Sequence, residues 1–583
     1  MTLRPSTAPQ RVPLPSPPAS SLLDGPDPES DSLRAASPTV TRFLATAITD
    51  PLFESSVASA LVAELVDIAA ACRLDFATSL VAESASASIC PLSVGGECAL
   101  GTDVLADRQE EFECFAAAAI EGPYSSQWQA AMDAEMASWK STGTYVDEAP
   151  PPRANIVSGM WIFRVKRPLG SPRVFKARYV ARGFSQRQGV DFFQTFSPTP
   201  KMTTLRVLLH VAAHRDYELH SLDFSTTFLL SSLHEEIWLR RPPGFTGSFP
   251  AGTQWSLRRP VYGLRKAPCE WHDTLRTTLA ALGFAPSTAD PSLFLRTDTA
   301  LPPFYVLVYV DDHVFATADA EALTHVKSKL QKRHTCTVLG ELTSYLGLRI
   351  TRDRAQHSTT LTQSHMVQQA LQRFGFTYSS PHSTLLPTGH SLSAPPSDES
   401  VEPSGPYPEL VGCLMYMMTC TQPDLAYPLS LLARYVAPGR HRKVHWDGVK
   451  KVLRYLCSTS GMGLVLGGRA RVVLTSHADA SSVDDLATQR LSQGYTFSLG
   501  SGSVSWRSTR SSSVLSSSCE AKIYAGAMAA QELRWLTYLL TDLGEVPRSP
   551  PVLYVDNKAM LALCQEHRLE HRTKHIALRY FLA

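Results

Sequence analysis

The sequence predicts a multidomain α+β protein, and three observations carry that prediction. Its 583 residues exceed what a single hydrophobic core usually organises. Segments with apolar residues three and four apart, such as QWQAAMDAEMASW, are interspersed with runs of alternating β-branched and aromatic residues, such as MWIFRVKR. One apolar run, Phe304 to Phe315 (FYVLVYVDDHVF), is broken in its middle by Asp311 and Asp312, which reads as two strands joined by a tight turn.

That acidic break is the strongest chemical signal in the chain. Paired carboxylates repel unless a cation lies between them, so a divalent, oxygen-preferring ion such as Mg²⁺ is the natural occupant. An isolated Asp-Asp pair is most often an exposed turn, and the surrounding sequence decides between the two readings.

Composition bounds the function classes. Hydrophobic residues at 44% and charged residues at 19% are ordinary for a globular chain. The formal net charge of +2 hides an asymmetry. Residues 1–120 hold 6 Arg, no Lys and 16 acidic residues, a net of −10, whereas residues 160–275 hold 17 basic and 8 acidic residues, a net of +9. A basic middle suits a phosphate-backbone partner, although a solvated basic surface has the same composition. The 11 cysteines form no CxxC pair or zinc spacing and read as reduced thiols of an intracellular protein. No secretory signal opens the chain. The longest apolar helical candidate, Val57 to Cys72, carries Glu64 and Asp67 and is too short to span a bilayer, so no membrane association is expected.

Taken in order, residues 1–50 are rich in Pro, Ser and Ala and are expected to be disordered. Residues 51–120 read as a spacer with one amphipathic helix. From Pro123, Trp128, Met132, Met136 and Trp139 recur at helical spacing, a packing face. MWIFRVKR (160–167) and VFKARYVARGF (174–184) read as two strands joined through LGSP. Their basic residues, Lys166 and Arg178 among them, alternate with apolar ones, so one face packs while the other suits a triphosphate or simply water. In LHSLDFSTTFLL (219–230), Asp223 ends an apolar strand and Phe228 follows five residues later. If that strand shares a sheet with the Asp311 hairpin, three acidic side chains come together, as in-line displacement at phosphorus with two metal ions requires. RRPVYGLRKAPCEWH (258–272) is a Pro- and Gly-punctuated turn entering a helix.

The segments KARYVARGFSQRQGVDFFQTFSP, LDFSTTFLL, VYGLRKAPCEWH, DPSLF, VYVDD and LGELTSYLGLRI together resemble, in order and spacing, the reverse transcriptase of copia-class LTR retrotransposons, and the resemblance runs from about Pro123 to the last residue. It implies a right-hand polymerase with fingers and palm over 121–352, a helical thumb and connection over 353–465, and an α/β RNase H-like domain over 466–583. By that likeness Asp223, Asp311 and Asp312 ligate two Mg²⁺ ions, Lys166 and Arg178 contact the triphosphate, Phe228 is the gate against a 2′-hydroxyl, and Lys266 lies near the incoming nucleotide. In the last segment, a strand ending at Asp479, a hairpin GYTFSLGSGSVSWRS, a long helix with Glu520 in its first turn and a strand ending at Asp556 match the nuclease layout. The likeness makes Asp479, Glu520 and Asp556 ligands of a second two-Mg²⁺ site.

Departures from the family pattern fall beside this chemistry. Lys266 replaces a glutamine, His313 an aliphatic residue after YVDD, and FLLSS interrupts a run that usually contains Gly. Ser482 stands for Trp, Lys522 for the second acid of an EAE pattern, and Gln422 for the Arg of TRPD. A fourth nuclease carboxylate past the KHI motif is not reached before Ala583, so a C-terminally truncated, impaired RNase H is expected. No protease signature, zinc knuckle or integrase arrangement is found, which reads as a polyprotein fragment. The resemblance implies an RNA-directed DNA polymerase, with RNA template, DNA primer, RNA/DNA hybrid and dNTPs as partners. Self-association and a cytoplasmic virus-like particle or nuclear location belong to the same expectation. The alternative is a catalytically dead remnant that only binds nucleic acid. A third class, an interaction protein using the Pro-rich N-terminus, rests on composition alone.

Overall fold

The computed structural model describes residues 112–114 and most of 122–561, with breaks at 167–172, 246–251, 387–405 (residue 392 apart), 482–489, 512–516 and 547–549 and at a few single positions. The segment expected to be disordered, the helix expected over Val57–Cys72, and Ser482 lie outside the described residues.

Helix α1 (Ser125–Ser141) forms where the helical period predicts it, with Trp128, Met132, Met136 and Trp139 all buried. They pack on a hairpin of β1 (Gly159–Lys166) and β2 (Val174–Ala181), whose register runs from Gly159 opposite Ala181 to Lys166 opposite Val174. Trp128 meets Phe163 and Phe175 edge-on, at centroid distances of 5.1 and 4.7 Å.

The central sheet has six strands. In spatial order they are Cys336–Glu341, β3 (Glu218–Phe224), then β5 (Asp312–Thr317) beside β4 (Phe304–Tyr309), then Leu293–Arg296 and Phe284–Pro286. β4 and β5 form the predicted hairpin, and β5 pairs antiparallel with β3. β4 is buried along its whole length because it sits inside the sheet and both faces are covered, which is why its sequence is a continuous apolar run. Helix Met202–His214 covers the sheet, and α2 (Ala267–Ala280) follows the turn that the Pro and Gly punctuation predicts.

Segment 353–465 is helical in large part, with helices Ser364–Arg373, Tyr407–Cys420, Ala426–Leu432 and Lys443–Thr459. It also contributes strands, which the helices read from its sequence do not include. Ser358–Thr362 pairs on one side with Leu348–Asp353 and on the other with Leu464–Gly467. Thr359 and Leu361 are buried while their neighbours are not, the two-residue period of a strand.

The last sheet has the order Gly502–Arg510, Ser492–Leu499, β6 (Leu474–Ala480), β7 (Val552–Tyr554). β6 and β7 run parallel, with His477 opposite Tyr554. Helix α3 (Ser518–Asp542) lies against this sheet, and Ser517 caps it by accepting the N–H of Glu520.

This last sheet is not a separate body. One apolar core runs through residues from Met202 to Leu543. Arg206, buried on helix Met202–His214, donates through Nε to the Val504 carbonyl at 2.7 Å and through Nη1 to the Thr419 carbonyl at 2.7 Å. Its guanidinium lies 4.0 Å from the Trp506 ring centroid. One turn on, His210 Nδ1 accepts the Gly467 N–H at 2.9 Å.

Candidate active site

β3 ends on Asp223 and Phe224, and the register places Asp312 of β5 directly opposite Asp223. The β4–β5 loop has two residues, Val310 and Asp311, since Tyr309 pairs with Asp312. Asp312 is therefore the first residue of a strand, and of the two acids Asp311 is the one in the turn. Val310 has φ of +52°, a left-handed conformation that a β-branched residue adopts only under strain. Its carbonyl accepts the Trp271 indole N–H of α2 at 2.6 Å. The Asp311 carbonyl accepts the Phe224 N–H at 3.1 Å, closing the turn against β3.

Asp223 and Asp311 line one cleft of about 300 Å³ between the sheet end, α1 and β2. Arg178 of β2, Glu135 of α1 and Tyr262 complete its polar wall. The Arg178 guanidinium lies 4.7 Å from the Tyr262 ring centroid. Burial works against the Arg178 charge, but Tyr262, Asp311, Glu135 and Asp223 outweigh it and raise its pKa. Burial pushes Glu135 above the usual carboxylate range, opposed by the Trp139 indole that donates to it at 3.1 Å. Burial likewise pushes the Tyr262 phenol up to about 12. A larger cleft of about 610 Å³, by Phe284, Arg296 and Asp319, holds none of the residues singled out from sequence.

Two glycines set the approach of this wall. Gly263 has φ of +86°, and a Cβ there would stand 2.0 Å from the Ala181 carbonyl oxygen. A Cβ on Gly183 would stand 2.1 Å from the Gly263 oxygen. The turn bearing Tyr262 thus meets the end of β2 backbone to backbone.

The other residues singled out from sequence are placed as follows. Lys166 is the last residue of β1, and its side chain is outside the described residues. Phe228 is buried behind Tyr262, with ring centroids 4.9 Å apart, and Tyr262 rather than Phe228 lines the cleft. Lys266 does not line it either. Its ammonium bridges Glu235 and Glu270, each at 2.5 Å, with side-chain exposures of 15% and 10%. His313 is buried in β5, its Nδ1 3.1 Å from the Asp311 carbonyl and its Nε2 without a partner. Burial lowers its pKa to about 3, so the ring is neutral, Nδ1 donates, and Nε2 is an unmet acceptor.

The donor set suits Mg²⁺ by chemistry, since Asp223, Asp311 and Asp312 offer hard oxygens at one sheet end. Among the described residues, however, no three His, Cys, Asp or Glu side chains converge tightly enough to enclose an ion.

At the second acidic cluster, Asp479 lies on β6, Asp556 two residues past β7, and Glu520 in the first turn of α3. Lys522 occupies the space between the two aspartates. Its Nζ bonds Asp479 Oδ1 and, at 2.7 Å, Asp556 Oδ1. The Lys522 hydrogen bond holds Asp556 below the usual carboxylate range. His477 stacks beside them on Tyr554, centroids 5.2 Å apart.

Glu135 and Tyr262 were not singled out from sequence. The one available signal for Glu135 is its position four before Trp139, on the margin of the buried stripe of α1.

Residues 144–388 match the family described as "Reverse transcriptase (RNA-dependent DNA polymerase)". The chain is 33% identical over 465 residues to the retrovirus-related Pol polyprotein from transposon TNT 1-94 of Nicotiana tabacum, covering 79% of this chain and 35% of that one. It is 30% identical over 300 residues to the putative transposon Ty5-1 protein of Saccharomyces cerevisiae, covering 50% of this chain and 94% of that one. A solved structure, the foamy viral protease-reverse transcriptase dRH in complex with ds DNA, aligns over 78% of this chain and 67% of its own, with 13% identity and a TM-score of 0.44. The chain spans about a third of the length of the plant Pol polyproteins it matches.

Proposed function

The chain belongs to the Pol polyproteins of copia-class retrotransposons, and from that premise we propose that the cleft at Asp223 and Asp311 is the nucleotidyl-transfer site of an RNA-directed DNA polymerase. The substrates are dNTPs, and the partners are an RNA template, a DNA primer and the hybrid they form. The observation that carries the reading is the pairing of Asp312 with Asp223, with Asp311 on the adjoining turn and facing the cleft that contains Arg178.

Asp223, Asp311 and Asp312 would hold two Mg²⁺ ions, which when bound activate the primer 3′-hydroxyl and stabilise the pyrophosphate leaving group. Arg178, set against the Tyr262 ring, meets the triphosphate with a planar, permanently charged donor. The triphosphate adds to the negative surroundings, Asp311, Glu135 and Asp223 among them, that already favour the Arg178 charge. Tyr262, ahead of Phe228, forms the surface against which the sugar packs, so Phe228 acts as a gate through Tyr262. A cleft of about 300 Å³ is at the lower end of the size range of small-molecule sites.

A second reading, a chain that binds primer-template without extending it, is favoured by His313, which places an unmet acceptor beneath the turn that carries Asp311. Primer extension on a primed RNA template with Mg²⁺ separates the two, using the 583-residue chain beside its Asp311→Ala, Asp312→Ala variant. Extension lost in the variant supports the polymerase. A folded chain that binds primer-template without extending it supports the second reading.

A further inference from the structure

We propose that the C-terminal acidic cluster carries its cation within the polypeptide. The Lys522 ammonium takes the position of a divalent ion between Asp479 and Asp556 and excludes it. The inference rests on reading this sheet and helix as nuclease-like, and is independent of the polymerase reading.

The parallel register of β6 and β7 brings the two aspartates together. Thr475, Ser476 and His477 face Val552, Leu553 and Tyr554, so continuing the same register puts Asp479 beside Asp556. Both side chains are open to solvent, at 72% and 69% exposure. Two such carboxylates side by side need a positive charge, and it comes from α3. Lys522 is only 13% exposed, so its aliphatic stem is packed and its head emerges at the acids. The helix start that sets its position is fixed by the Ser517 cap.

The helix also restricts what else can reach the acids. Residues two apart on a helix do not share a face. Of Glu520 and Lys522, it is Lys522 that contacts both aspartates, and Glu520 is buried. A metal ion entering here would have to break two charge-assisted hydrogen bonds to a cation that cannot diffuse away. A cluster that resembles a two-metal site is by this geometry an internal salt bridge, and hydrolysis of the RNA strand is not expected from it.

The test counts Mn²⁺ ions bound per chain by electron paramagnetic resonance in the 583-residue chain, in Lys522→Ala and Lys522→Glu, and in each of the three combined with Asp479→Asn. The expected result is that Asp479→Asn leaves the wild-type count unchanged, whereas a lysine variant gains one ion that Asp479→Asn removes, with affinity at that position at least tenfold above wild type. Loss of one ion from the wild type on Asp479→Asn would overturn the proposal, and that comparison needs no lysine variant to fold. Failure of both lysine variants to gain an ion, with circular dichroism and melting unchanged, would overturn it too. Because the readout is metal count, inactivity in primer extension leaves the result interpretable.

Discussion

The Phe224 peptide N–H donates to the Asp311 carbonyl at 3.1 Å, so the strand that carries Asp223 and the turn that carries Asp311 are tied together where both acids are presented. His313 Nδ1 approaches the same carbonyl at 3.1 Å. The oxygen therefore keeps a donor if the imidazole is removed. His313→Leu is expected to stabilise the chain by about 1–2 kcal/mol, because it deletes the unmet Nε2 acceptor and fills the same space with apolar atoms. A urea midpoint that moves down would refute this.

Lys266→Gln is expected to destabilise the chain rather than repair it. Glu235 and Glu270 are both nearly buried on Lys266. Removing the shared cation leaves them uncompensated, at a cost of about 3–5 kcal/mol. Adding Glu235→Gln to the Lys266→Gln chain should recover part of the loss in chemical denaturation.

Arg178→Lys is expected to raise the KM for dNTPs about tenfold or more, equivalent to about 1.4 kcal/mol, with a smaller change in kcat. A lysine keeps the charge but neither the fork of donors nor the contact with Tyr262. Unchanged KM together with a large fall in melting temperature would make Arg178 structural only.

Stability is expected to fall as pH drops from about 6.5 towards about 4. Burial first, then the neighbouring His214, lowers the His210 pKa to about 4. Between that value and the unfolded one near 6.5 the unfolded chain binds the extra proton, so the contribution is present above 6.5 and lost on acidification, up to about 3 kcal/mol. His272, His334, His365 and His445 are lowered by burial in the same sense. In His210→Asn the amide oxygen can still accept the Gly467 N–H, and the pH slope should flatten over this window. An unchanged slope would assign the acid sensitivity elsewhere.

What the sequence disclosed was local. The α1 helix was legible because four large apolar residues repeat at its period, and the β4–β5 hairpin because two acids interrupt an apolar run. The pairing of β5 with β3 was open to argument from sequence only as a condition, since Asp223 and Asp312 are brought together by the sheet and not by spacing. Lys266 and Lys522 stood out as unexpected cations, and Glu270 lies within reach of Lys266 at the next helical turn, yet their distant partners were invisible. Glu235 is 31 residues from Lys266, and Asp479 is 43 from Lys522. The strand Ser358–Thr362 was missed because Leu361 is its single apolar residue, and the other buried position is Thr359. Tyr262 was missed because a turn residue has no periodicity to betray it.

The position of Arg206 bears on how the chain is made. Its Nε acceptor, the Val504 carbonyl, is 298 residues further along. At a synthesis rate of about 5–20 residues per second, helix Met202–His214 leaves the ribosome roughly 15–60 s before that acceptor exists. For that interval a charged side chain destined for burial, and the apolar face around it, have no native cover. The nascent chain is thus open to chaperones and to self-association at its middle, and the final third of the sequence acts late, as the lid that completes a core begun in the middle third.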